Sequence, residues 1–119
     1  MSYSVFLYTN DRFEEHCVST NKIEYGGTYQ LGGTTECDLN ITYNYSKHYY
    51  KEFPNDEGIF WLNGQYAKNT IKELENVLMA LGSRRNSDYW KSTKGNAGYS
   101  IKILLGWARE NPKGIWMVI

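Results

Sequence analysis

Between Cys37 and Tyr50 the chain reads Cys-Asp-Leu-Asn-Ile-Thr-Tyr-Asn-Tyr-Ser-Lys-His-Tyr-Tyr, dense in side chains that hydrogen-bond or stack. Asp38, Asn40, Thr42 and Asn44 alternate with Leu39, Ile41, Tyr43 and Tyr45, so a strand over 37–45 presents one polar and one apolar-aromatic face. Asparagine offers a donor and an acceptor together, which suits the edge of a base or a ribose. Tyr45, Tyr49 and Tyr50, followed by Phe53, add flat ring faces; a base stacked on such a ring gains roughly 1–3 kcal/mol. Positive charge comes later, in Arg84-Arg85 and in Lys91-Ser92-Thr93-Lys94-Gly95-Asn96. A helix that starts after Thr93 turns free amides and the positive end of its dipole toward a phosphate. Asn40, Thr42, Asn44, Tyr45, Tyr49, Arg84, Arg85, Thr93, Lys94 and Asn96 are therefore the candidate ligand-binding residues, for a nucleotide-like molecule. The plainer alternative makes the asparagines solvated strand residues, Thr93 only a cap, and the arginines a surface turn.

Catalytic chemistry has less to work with. Cys17 and Cys37 are the only cysteines, and His16 and His48 the only histidines. A Cys-His dyad needs Cys17 with His48 or Cys37 with His16, and neither cysteine sits in a nucleophile motif. A zinc site would have to gather all four from distant positions, so no metal and no cofactor are expected. Glu14-Glu15 and Asp56-Glu57 are adjacent pairs, better suited to solvated turns than to acid/base work. The glycine pairs Gly26-Gly27 and Gly32-Gly33 match neither a P-loop nor a dinucleotide fingerprint. Binding is favoured over catalysis.

The elements that must position these residues follow from periodicity. Tyr3–Tyr8 is a β-branched and aromatic run that reads as the first strand, and His16–Thr20 as a short second one. Gly26–Gly33 sets a four-residue extended piece between two glycine pairs. After a turn at Asn63-Gly64, a helix is predicted over Thr70–Leu81. Thr70 and Glu73 fit a capping box, Ile71, Leu74, Leu78 and Leu81 form the apolar stripe, and Gly82 sits where a left-handed cap belongs. A second helix runs from Lys94 to Glu110, capped by Thr93 and stopped at Asn111-Pro112. Ile115–Ile119 reads as an edge strand or docked tail. The predicted fold is α+β: a mostly antiparallel sheet with two helices packed on one face, in a single domain over residues 1–119.

Composition bounds the partners. In 119 residues, 16% are aromatic, with eleven Tyr and four Trp, and rings in that abundance serve interfaces and pockets as well as cores. A homodimer suits so aromatic a small domain. Net charge is zero, yet residues 1–60 carry nine acids against four bases, and residues 61–119 four acids against nine bases. The folded chain can thus have a cationic side, from Arg84, Arg85, Lys91, Lys94, Lys102 and Arg109. No basic stripe for duplex DNA appears. No apolar run reaches membrane-spanning length, and Met1–Tyr8 lacks a cationic start, so reduced thiols in a cytoplasmic protein are expected.

Longer motifs add a resemblance. Asn40-Ile41-Thr42-Tyr43-Asn44-Tyr45-Ser46, Gly58-Ile59, Asn63-Gly64-Gln65, Asp88-Tyr89-Trp90-Lys91-Ser92-Thr93-Lys94-Gly95-Asn96-Ala97 and Asn111-Pro112-Lys113-Gly114-Ile115-Trp116 occur in this order. Together, over about residues 37–116, they resemble a group of small uncharacterised proteins of bacteriophages and mobile elements. The resemblance implies a phage-like origin and a bacterial host cytoplasm. By analogy with phage accessory proteins it implies antagonism of host defence. The first expectation is sequestration of a nucleotide-derived signal, the second inhibition of a host defence protein by direct binding, and the third hydrolysis of such a signal.

Overall fold

Tyr3, Val5 and Leu7 alternate with Ser2, Ser4, Phe6 and Tyr8, and the chain follows that period as strand β1 (Ser2–Tyr8), with the first set buried and the second half-exposed. The computed structural model describes residues 1–26 and 29–119, with residues 21–26 and 29–34 described by backbone alone. β1 is the middle strand of a three-stranded antiparallel sheet, flanked by β4 (Asp38–Thr42) and β5 (Ile115–Val118). Val5 faces Leu39 on one side and Val118 on the other; Phe6 faces Asp38 and Met117. Residues directly opposite share a face. Tyr3, Val5, Leu7, Leu39, Ile41, Trp116 and Val118 therefore point together into one core.

β2 (Val18–Gly26) and β3 (Tyr29–Glu36) form a separate antiparallel pair. The short strand expected over 16–20 is the beginning of β2, after a bridge between Tyr8 and His16. The extended piece expected between glycine pairs is an eight-residue strand, β3, that runs through Gly32-Gly33; Gly27 lies outside the described residues. At Leu7 the sheet branches: the Leu7 amide donates to the Cys37 carbonyl (3.0 Å), while the Leu7 carbonyl accepts from Cys17 (2.8 Å). The Cys37 amide closes the joint on the Cys17 carbonyl at 3.0 Å. Both thiols are free and buried there.

Three α-helices, rather than two, are present among the described residues: α1 (Ser46–Glu52), α2 (Ile71–Leu81) and α3 (Lys94–Glu110). The strand expected over 37–45 ends at Thr42. There the Thr42 hydroxyl accepts from the Asn44 amide (3.2 Å) and caps a 3₁₀ turn that leads into α1. β-Branched residues stop at Thr42, while Tyr45, Tyr49 and Phe53 recur every fourth position and are the buried ones. That spacing is helical. In α2 the buried stripe is Leu74, Val77 and Leu81, with Ile71 and Leu78 on its flanks. The capping box at Thr70 does not form. Buried Thr70 instead donates to the Ala67 carbonyl (2.8 Å) and accepts from the Trp116 indole (2.9 Å). α3 has the predicted bounds, with Ala97, Ile101, Leu104, Leu105 and Ala108 buried; each large aliphatic side chain so enclosed contributes roughly 1.5–3 kcal/mol. Trp107 stacks on Trp116 at 6.4 Å, joining α3 to β5.

A candidate anion cleft beside the third helix

Helix α3 opens as its sequence dictates: extended Thr93 accepts the Asn96 amide on its hydroxyl at 3.0 Å. The Asn96 side chain then turns away from solvent. Its Oδ1 accepts from the Asn86 amide (2.8 Å), and its Nδ2 donates to the carbonyls of Asp88 (3.0 Å) and Lys91 (2.9 Å). Both of its donor hydrogens are thus used inside the chain, and one buried amide organises the whole connection from α2 to α3.

The same connection is gripped from the other side by the segment from β4 to α1. Tyr89 lays its hydroxyl along the edge of β4, accepting from the Thr42 amide (3.0 Å) and donating to the Asn40 carbonyl (3.4 Å). Asn44 Nδ2 donates to the Trp90 carbonyl (2.9 Å), and the Tyr45 hydroxyl to the Tyr89 carbonyl. His48 Nε2 lies 3.3 Å from the Ser92 carbonyl. Burial pushes the phenols of Tyr45, Tyr49 and Tyr89 up, so they remain neutral donors.

Two glycines let the connection cross α3 at backbone distance. A Cβ on Gly95 would lie 1.9 Å from the Arg84 carbonyl oxygen, and one on Gly98 1.6 Å from that of Gly82. Gly82 itself holds φ at 72° with ψ at −179°, so the glycine after α2 takes a backbone conformation open almost only to glycine, and the left-handed helical cap expected there does not form. Between this crossing and the start of α3 opens a cleft of about 280 Å³, lined by Leu81, Gly82, Arg84, Arg85, Asn86, Thr93 and Gly95. Residues 84–94 carry Arg84, Arg85, Lys91 and Lys94 against the single acid Asp88, so the cleft sits on a cationic surface. The Arg85 guanidinium lies 4.7 Å over the Tyr99 ring. A much smaller cavity, about 30 Å³ and of the size of one water, separates the β4 edge from α3 and is lined in part by Asn40, Tyr45, Arg85, Tyr89 and Asn96.

Of the ten residues predicted from sequence, Arg84, Arg85 and Thr93 meet at the larger cleft, and Lys94 is exposed on the first turn of α3. Asn40, Tyr45, Arg85 and Asn96 meet at the smaller one. Thr42 is buried, and both it and Asn44 hold the connection rather than face a ligand. Tyr45 and Tyr49 are fully buried, Tyr49 donating to the Ala97 carbonyl at 3.0 Å, so neither ring offers a face for stacking. Tyr89, Asn86, Gly95 and Gly98 were missed; of these only the Gly95–Gly98 spacing, one turn apart on a helix, carries a local signal. The cysteines are sealed: burial raises the Cys17 thiol and pushes that of Cys37 up to about 12. Among the described residues no three metal-binding side chains gather, and no helix is long and apolar enough to cross a membrane. No protein-family model, curated protein or solved structure matches this chain.

Proposed function

We propose that this chain is a small stoichiometric binding protein that takes up a nucleotide-derived signal by its phosphate. One observation supports this above the others: Arg84, Arg85, Thr93 and the first turn of α3 converge on one preformed cleft. Exposed Arg84 and Arg85 bring two positive charges to the cleft beside a helix start, a setting that favours phosphate oxygens, while the Arg85 guanidinium rests on the Tyr99 ring next to it. The reading is narrower than the sequence alone invites, because the polar strand and its tyrosines are the frame of the cleft. Base recognition by Asn44, Tyr45 and Tyr49 is therefore set aside. The resemblance to phage and mobile-element proteins supplies the setting, a bacterial host whose immune signal is removed from solution. A second reading, inhibition of a host defence protein by direct contact, draws on the exposed Tyr43, Tyr50 and Phe60, of which Tyr43 and Phe60 pack around the Tyr3 ring at 4.6 and 5.5 Å.

The test is to incubate the purified protein with cyclic and ADP-ribose-type nucleotides and analyse the mixture before and after heat denaturation. Intact ligand released only by heating supports sequestration, altered ligand points to hydrolysis, and no uptake leaves the protein-target reading. Arg84→Ala and Arg85→Ala should each weaken uptake about tenfold, the scale of one charge-assisted contact. If both variants bind as the parent does, the cleft is not the site.

A further inference from the structure

The face of the sheet that points away from the helices carries a second, chemically opposite surface. Successive rows across the strands place Asp38, Phe6 and Met117 side by side, then His16, Tyr8 and Ile115. The His16 ring stacks on Tyr8 at 4.7 Å and on Phe6 at 5.6 Å. Phe13 joins them edge-on to Tyr8 at 5.5 Å, and it is held at a φ of 55°. That left-handed conformation is costly for an aromatic residue, yet it leaves the ring 36% exposed over the sheet.

Acids surround these rings. The His16 Nδ1 is 3.9 Å from the Glu36 carboxylate, and Asp38 stands half-buried next to Phe6 in the register. Burial raises the Asp38 carboxyl, with neighbouring His16 acting in the opposite direction. Such a carboxylate gains from an added cation. The loop bearing Phe13 contributes exposed Asp11, Glu14 and Glu15 against one base, Arg12.

We propose that this outer sheet face docks a cationic segment of a protein partner, with arginine or lysine heads on the rings and the acidic rim. The commitment to that partner rests on charge complementarity. The ring surface that reaches solvent here, exposed Phe13 with the half-buried Phe6 and Tyr8, attracts guanidinium and ammonium groups, and carboxylates alongside complete the contact. Nucleic acid is repelled by the same rim, and a second copy docking by this face would set acid against acid. The surface is separate from the anion cleft and does not depend on the reading given to it.

The full chain is titrated with a fluorescent peptide of alternating arginine and leucine, and with its glutamate-for-arginine counterpart. Amide NMR shifts and sedimentation are recorded in parallel. The arginine peptide should bind with shifts centred on Phe6, Tyr8, His16, Asp38 and Met117, while the glutamate peptide leaves them unmoved. Phe13→Asn suits the left-handed backbone and sits on an exposed loop; it should weaken binding about threefold, the loss of one exposed cation–π contact. Asp38→Asn should weaken it about fivefold and Arg84→Ala not at all, with circular dichroism confirming that each variant is folded. Shifts centred elsewhere, or equal affinity in both face variants, overturn the proposal. So does self-association that Phe13→Asn abolishes, which assigns the face to a second copy of the chain.

Discussion

Gly98→Ala and Gly106→Ala are the same substitution in the same helix, and the structure predicts opposite signs for them. At Gly98 the added Cβ falls 1.6 Å from the Gly82 carbonyl oxygen and 3.0 Å from Leu81 Cβ. The nearer atom is backbone, so the α2–α3 connection must retreat by roughly 1.5–2 Å to restore van der Waals distance. That retreat pulls on the Asn86–Asn96 hydrogen bond and on the neighbouring contact of the Arg84 carbonyl with Gly95. Overpacking of this kind costs about 1–3 kcal/mol, and a strained buried hydrogen bond about 1 kcal/mol more. Alanine returns about 1 kcal/mol in helix propensity, leaving a net loss of about 2 kcal/mol. At Gly106 nothing lies within 4 Å of the added Cβ, so only the propensity gain of about 0.5–1 kcal/mol remains. Urea denaturation followed by far-UV circular dichroism reads both. The midpoint should fall for Gly98→Ala and rise for Gly106→Ala; if both rise, the close crossing over α3 is wrong and the cleft loses its wall.

Thr70→Val keeps the shape of a buried side chain but leaves the Trp116 indole N–H without its acceptor, so about 1–3 kcal/mol should be lost, while Thr70→Ser stays within about 1 kcal/mol of the parent. Denaturation midpoints compare them, with the Trp116 indole proton as the NMR marker. The Cys37 thiol, held up to about 12 by burial from an ordinary 9.0, should not react with a thiol reagent at mildly alkaline pH until the chain unfolds. The sign of its linkage follows: the unfolded thiol ionises first, so the stability is intact below pH 9.0 and is lost as pH rises toward about 12. Cys37→Ala, though less stable throughout, should show a flatter alkaline limb.

Local signals determined most of the elements, and long-range ones determined the site. α3 was readable end to end, because Thr93, Asn111 and Pro112 act on their own neighbours. The stretch after Thr42 carried two periods at once: polar residues every second position through Asn44, and rings every fourth position from Tyr45. Alternation hid the start of α1, and the burial of Tyr45, Tyr49 and Phe53 shows which period won. Donors and rings were located correctly as residue types, but their partners lie far along the chain. Asn44 reaches Trp90, 46 residues away, and Tyr89 reaches Thr42, 47 residues away. No pattern within either segment announces that the other will use up its hydrogen bonds. Adjacent arginines after a helix-ending glycine needed no such knowledge, and with Thr93 they are the predicted residues that line the larger cleft.

The same wiring bears on how the cleft would work as the anion site proposed above. Its wall is irregular backbone, which left alone would sample many conformations, each residue costing about 1–2 kcal/mol to fix. Asn96 from α3, with Asn44, Tyr45 and Tyr89 bridging to β4 and α1, meets that cost during folding rather than at binding. On the anion-binding reading proposed above, affinity would owe little to the framing residues directly and much to them indirectly. Residues that looked like ligand contacts in the sequence are, on this argument, positioning residues for Arg84 and Arg85.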